Sequence, residues 1–181
     1  MLHLYLAGLV LAVSATPVQA RSDLVATGLY GKSCKLVDAG KRGASTRLCN
    51  GVGGYAVLVH ENQGRTSIDI VAPNAQTYQL DYWDVITPDL SHVGRMAEWQ
   101  LIKTKGKPQP VALLVRLNTL DQRSPYYARQ DTVLTVARIE SDGACVIFKV
   151  DARAKNADAQ AREAAADPDR KCLGAYTAAA E

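Results

Sequence analysis

Apolar and polar positions along this chain fall mostly into a two-residue period, the mark of strands with one buried face. Arg65-Thr66-Ser67-Ile68-Asp69-Ile70-Val71 alternates most plainly. Tyr55 to His60 is a second strand, and Glu61-Asn62-Gln63-Gly64 between the two has hairpin-turn chemistry. Downstream, Met96–Lys103, Val111–Leu117 and Thr132–Ile139 read as strands, the middle one apolar on both faces. Lys105-Gly106-Lys107-Pro108 and Ser141-Asp142-Gly143 turn the chain. The pattern assigns no element to Asp81–Asp89. It suggests loops at Pro73–Gln79 and Asn118–Gln130, a turn at Ser91–Gly94 with His92 in it, and a frayed tail from Gly174. No internal repeat or linker divides the chain.

The period changes after Cys145. Cys145–Val150 is a strand of about 20 Å at ~3.3 Å per residue. Asn156–Asp167 reads as a helix of about 18 Å at ~1.5 Å per residue. Asn156 suits its N-cap, Asp158 its positive end, and Pro168 its stop. Ala157, Ala161, Ala164 and Ala165 fall at i, i+4, i+7 and i+8, so one face is small and smooth. The near-equal lengths would bring Cys172 back to Cys145. Which face of the strand the helix covers stays open, because the cysteine side and the more apolar side are opposite. The fold class expected is α+β: an antiparallel sheet of six or seven strands with one principal C-terminal helix and two disulfides.

The N-terminus alters the reading of everything after it. Leu4–Val13 is an apolar run of signal-peptide length, followed by Val18 and Ala20 where a signal peptidase reads small residues. The n-region has only His3 and the α-amino group. Residues 1–20 are taken as a signal peptide and 21–181 as one globular domain, periplasmic or secreted, with no membrane span after cleavage. Hydrophobic residues make up 48% and charged residues 22% of the chain, which excludes a disordered polymer. The net charge of +3 is interspersed, without runs of Lys or Arg, so no nucleic acid is expected as a partner. An even cysteine count beside an export signal implies two disulfides, for which three pairings exist. Cys34–Cys49 and Cys145–Cys172 are favoured, because each pair brackets one local unit. Asp38 to Gly43 supplies the turn inside the first.

Candidate chemistry is sparse. Gly51-Val52-Gly53-Gly54 precedes a strand where a phosphate loop needs a helix, so it reads as a tight turn or bulge. There is no C-x-x-C, and His60 and His92 are not expected to be joint metal ligands; no metal and no cofactor is expected. No G-x-S-x-G elbow is present. Glu61, Asp69, Asp81, Asp84 and Glu98 offer carboxylates, but their spacing singles out no pair. Glu98 beside Trp99 draws attention; a tie to Arg65 or Arg116 is its plainer reading. Tyr55, Tyr82, Trp83, Glu98 and Trp99, with the glycine turn, form a candidate recognition surface.

The segment C-x-G-x-G-G-Y-A-V-L-V at Cys49–Val59, Glu98-Trp99 before Pro110, Leu113 and Arg116, and C-x(5)-D-A-R-A-x-N at Cys145–Asn156 together resemble an uncharacterised group of small secreted bacterial proteins. The resemblance covers most of the mature chain. It implies export and disulfides, and it supplies no activity. The expected function is therefore that of a noncatalytic exported binding or envelope protein, whose partner is an unknown envelope protein or small ligand. An inhibitor of a wall hydrolase is one form of it, though a basic lysozyme is a poor target for a basic chain. The alternative is a small hydrolase of the envelope using His60 and a carboxylate.

Overall fold

Two antiparallel sheets face each other, and one helix covers the far side of the larger sheet, in this computed structural model, which describes residues 23–121 and 129–178. The expected signal peptide, and with it the reading of the mature start, lies outside the described residues, as do residues 122–128 of the expected loop at Asn118–Gln130, whose ends are strand instead.

The chain opens with β1 (Asp23–Gly28), β2 (Cys34–Ala39) and β3 (Ser45–Asn50). Next come β4 (Ala56–Asn62), β5 (Arg65–Val71), β6 (Thr77–Gln79) and a short helix α1 (Tyr82–Val85). Two 15-residue strands follow, β7 (Leu90–Thr104) and β8 (Lys107–Asp121). The chain ends with β9 (Arg129–Ile139), β10 (Gly143–Asp151), helix α2 (Ala157–Ala166) and β11 (Thr177–Ala178). One sheet runs β2-β3-β4-β5-β6; the other runs β1-β7-β8-β9-β10-β11.

The expected class holds: antiparallel strands, one main helix near the C-terminus and two disulfides. The strands are more numerous than expected and divide between two sheets. The tight turns are those the sequence indicated. Gln63-Gly64 and Lys105-Gly106 have φ of 50°, 76°, 51° and 78°, the paired positive values of a two-residue hairpin.

The alternation places the core between the sheets. Val57 and Val59 of β4, Ile68 and Ile70 of β5, and Trp99, Leu113, Val115 and Leu117 of β7 and β8 are all buried there. Tyr82 crosses this layer from α1 to bond Thr135 Oγ1 of β9 at 2.7 Å, and Thr135 donates to the Val115 carbonyl at 2.9 Å. A second cluster lies on the opposite face of the larger sheet. Ala112, Leu114, Leu134, Val136, Cys145 and Ile147 pack there against Ala157 and Ala161 of α2. β8 is thus covered on both faces, as its continuous apolar run requires.

The question of which face of β10 meets the helix is settled by a bulge. Val146 pairs with Ala137, but Phe148 pairs with Val136, so one extra residue is accommodated around Ile147. Before the bulge Cys145 and Ile147 face α2; after it Phe148 and Val150 do. The apolar side and the cysteine side are opposite in a regular strand and are brought to the same side here. Ala157, Ala161 and Ala164 form the buried stripe of α2, as the spacing indicated. Asn156 holds the N-cap position, but its side chain accepts from Gln160 Nε2 at 2.8 Å and caps no backbone amide.

Three readings are corrected. Ser91–Gly94 is not a turn, and His92 is not in a loop: both lie within β7. The glycine marks a bulge instead, where the pairing of β7 and β8 shifts between Val93 and Ala97. A Cβ on Gly94 would stand 3.1 Å from the Arg116 carbonyl, a tight contact that glycine avoids at this close strand approach. Pro73–Gln79 includes β6, and the tail contributes β11 to the sheet edge. These strands have three and two residues, too few to show a period.

The glycine turn at residues 51–54 is a packing device. A Cβ on Gly51 would lie 2.5 Å from the Tyr55 carbonyl and 2.6 Å from Trp99 Cζ2. Gly51→Ala should therefore destabilise by about 1–3 kcal/mol, the usual cost of overpacking. Urea unfolding checks this; an unchanged midpoint would show that the turn can give way.

Candidate functional site

Successive residues on β3 and β4 point to opposite faces, so each strand places one polar side chain outside the sandwich and the next one inside. On the outer face, Thr46, His60 and Asp69 lie on three neighbouring strands. The register sets Thr46 opposite His60, and His60 opposite Ser67, two residues from Asp69. His60 Nε2 is 2.8 Å from Asp69 Oδ2, and Nδ1 is 3.1 Å from Thr46 Oγ1. Asp69 is buried, at 7% exposed, while the imidazole remains partly open. Ser67 is committed elsewhere: its Oγ accepts the Tyr82 backbone N–H at 3.1 Å.

On the inner face, Arg47 Nη1 donates to Glu61 Oε2 at 2.8 Å, and Ser45 Oγ donates to the same oxygen at 3.4 Å. The Arg47 guanidinium lies over the Tyr30 ring at 4.9 Å, and Tyr30 donates to the Val93 carbonyl at 3.2 Å. The Arg47 hydrogen bond holds the Glu61 carboxyl below its ordinary range, against a smaller opposing effect of burial. Burial, followed by the Glu61 charge, raises the Tyr30 phenol. Because Glu61 is lowered, the pair stabilises above the ordinary carboxylate range, and that stabilisation is lost as pH falls through the lowered value. Melting temperature followed from pH 6 down to pH 3 should fall less steeply in Glu61→Gln than in the parent. Equal slopes would show the pair to be silent.

A carboxylate, an imidazole and a hydroxyl in line are three parts of a nucleophilic centre. Such a centre also needs a fourth part, preorganised donors for a developing oxyanion. β3 is flanked on both sides: Thr46 is aligned with Asp38 and His60, and Arg47 with Leu36 and Val59. Between those two alignments Val37 bulges out of the β2–β3 ladder. Three depressions of about 410, 370 and 260 Å³ have neither His60 nor Asp69 in their walls.

The other expected site residues are scattered. Trp99 and Tyr82 are fully buried and are core, not surface, because both turn inward between the sheets. Trp99 Nε1 donates to Thr27 Oγ1 at 2.8 Å, and Tyr55 is half-buried against it with ring centroids 6.3 Å apart. Trp83 is half-buried under Arg65, whose guanidinium is 5.6 Å from the ring centre. Glu98, also half-buried, points to the other face of the larger sheet, in the wall of the 260 Å³ depression. The expected tie between Glu98 and Arg65 or Arg116 is not formed among the described residues. Arg65 lies over Trp83, and Arg116 pairs with Asp158 of α2. Of the five candidate surface residues, Tyr82 and Trp99 therefore belong to the core, and Tyr55, Trp83 and Glu98 remain half-buried. His60 and His92 sit on different sheets.

Sequence reasoning named His60 and Asp69 separately and missed their pairing. The Gln63-Gly64 turn contained the signal. It fixes Asn62 opposite Arg65, from which the diagonal of His60 and Asp69 follows.

No protein-family model, no curated protein and no solved structure matches this chain.

Exposed apolar side chains have a clearer address than polar ones. Of the seven large hydrophobic residues left exposed among the described residues, Leu24 and Val25 lie on β1, Leu36 and Val37 on β2, and Met96 opposite Gly28 of β1. β1 and β2 each form one edge of their sheet and are joined by the short link from Leu29 to Ser33.

Proposed function

We propose that this chain is an exported protein of the periplasm or extracellular space that works by binding a partner, without catalysis. The observation that carries the reading is that four exposed large hydrophobic residues, Leu24, Val25, Leu36 and Val37, gather on the edge strands β1 and β2. Such clustering is characteristic of interaction surfaces, whereas scattered exposed residues need no explanation. Export is supported by the two disulfides, which suit an oxidising compartment, and by the N-terminal signal pattern. No helix among the described residues is long and apolar enough to cross a membrane. The resemblance to small secreted bacterial proteins points the same way.

One observation favours the second reading, a small His60-dependent hydrolase of the envelope: the 2.8 Å contact between His60 and Asp69. Against it stands the placement of this pair: none of the three depressions has His60 or Asp69 in its walls. The test is capture of a partner from envelope extract by the mature protein and by His60→Ala, followed by N-terminal sequencing of the cellular form. Equal capture by both, with a start at Arg21, supports the proposal. Turnover of an envelope component that is lost in His60→Ala overturns the binding reading. A cellular chain starting at Met1 overturns export.

A further inference from the structure

We propose that the free edge of β2 receives an extended acidic segment of a partner protein, added as a further strand. The inference rests on the binding reading above and names the chemistry of the partner. β2 ends its sheet, and among the described residues no strand pairs with its outer side. Its second to sixth residues are all exposed. Leu36, at 56% exposed, is aligned with Arg47 and so leans toward the interior of the sandwich. Val25 of β1 is aligned with Trp99 and leans inward from the other sheet. Each edge thus carries a partly exposed apolar residue on its inward side, and an incoming strand could cover Leu36 while pairing with backbone groups of β2.

Charge selects the partner. Lys32, Lys35, Lys41 and Arg42 flank or lie on β2, all exposed, against a single carboxylate, Asp38. This surplus equals the net charge of the whole chain, +3, so the remainder is balanced. A second copy would set this basic segment against its own image, which costs free energy at encounter. An acidic strand meets no such repulsion.

The test uses the full mature protein labelled with ¹⁵N and two synthetic peptides of equal length, one alternating Glu and Val, the other Lys and Val. The Glu/Val peptide is expected to shift and protect amides of residues 23–39. Lys35→Glu combined with Lys41→Glu should weaken it by about tenfold or more. The proposal is overturned by equal binding of the Lys/Val peptide or by shifts confined to other strands. It is equally overturned by dimerisation through β2, or by lysine-dependent binding to phosphatidylglycerol vesicles without peptide binding. If the Glu/Val peptide fails while envelope capture persists, this site assignment falls and the binding reading stands. If both fail, both fall.

Discussion

Replacing Trp99 by alanine should remove about 3–5 kcal/mol of stability, the usual loss when a buried large aromatic is truncated. The side chain is fully buried, and four features converge on it. Its indole N–H donates to Thr27 and so ties edge strand β1 to the core. Tyr55 packs against its ring, Gly51 stands close to its six-membered ring, and its strand position opposes Leu113. Domains are commonly stable by only about 5–15 kcal/mol, so the loss should leave the variant partly unfolded at ordinary temperatures. Differential scanning calorimetry is the measurement, with a fall of about 10 °C or more expected for a chain of this length. Leu36→Ala is the contrast. At an exposed edge it should shift stability by about 0.5 kcal/mol or less. A Trp99→Ala protein as stable as Leu36→Ala would refute the core assignment.

The contrast bears on how the sequence could be read. Trp99 and Tyr82 are aromatic residues with polar handles, which suit a recognition surface as well as a wet core contact. Composition cannot distinguish the two. The partner of each handle can: Thr27 and Thr135 lie 72 and 53 residues away in sequence. Long-range pairing of this kind leaves no local mark. Strands with a buried face, the glycine turns, the alanine stripe of α2 and the disulfide pairs were legible because each is a local pattern. β1, β6 and β11 were not, being short edge elements whose pairing is decided by neighbours. The split into two sheets was hidden for the same reason: alternation tells which residues turn inward, not which sheet they turn inward from. The Ser91–Gly94 stretch misled because glycine serves turns and bulges alike. Of the candidate site, His60 and Asp69 were visible as residues, and their meeting depended on a register that only the hairpin turn encodes. The apolar and basic character of β2 was visible too, but its exposure follows from its place at the end of a sheet.

Serine at both Cys145 and Cys172 is the second large perturbation. The disulfide joins the start of β10 to the return segment after α2, with Cα atoms 5.7 Å apart. A closed loop of 27 residues corresponds to about 3.5 kcal/mol in the chain-entropy model. The packing of α2 gives little to set against that loss, because its buried stripe is Ala157, Ala161 and Ala164. At about 25 cal/mol per Å² of apolar surface, alanines stabilise weakly. Polar ties remain in the variant. Leu173 N–H donates to the Val146 carbonyl at 2.8 Å, Arg138 donates to the Pro168 and Arg170 carbonyls, and Arg170 lies 4.9 Å over Phe148. They hold the stretch after the helix, whereas the helix itself has Arg116–Asp158 at its exposed first turn. Amide exchange should therefore rise first between Asn156 and Asp167, with β4 and β5 in the other sheet unchanged. The Cys34–Cys49 bridge should behave differently. It joins directly opposed residues of β2 and β3, so its loss should loosen the β2 edge and leave α2 protected. Exchange that rises uniformly over both sheets in the Cys145/Cys172 variant would show that α2 is not a separately held layer. Non-reducing peptide maps giving a Cys34–Cys145 or Cys49–Cys145 fragment would contradict the pairing itself.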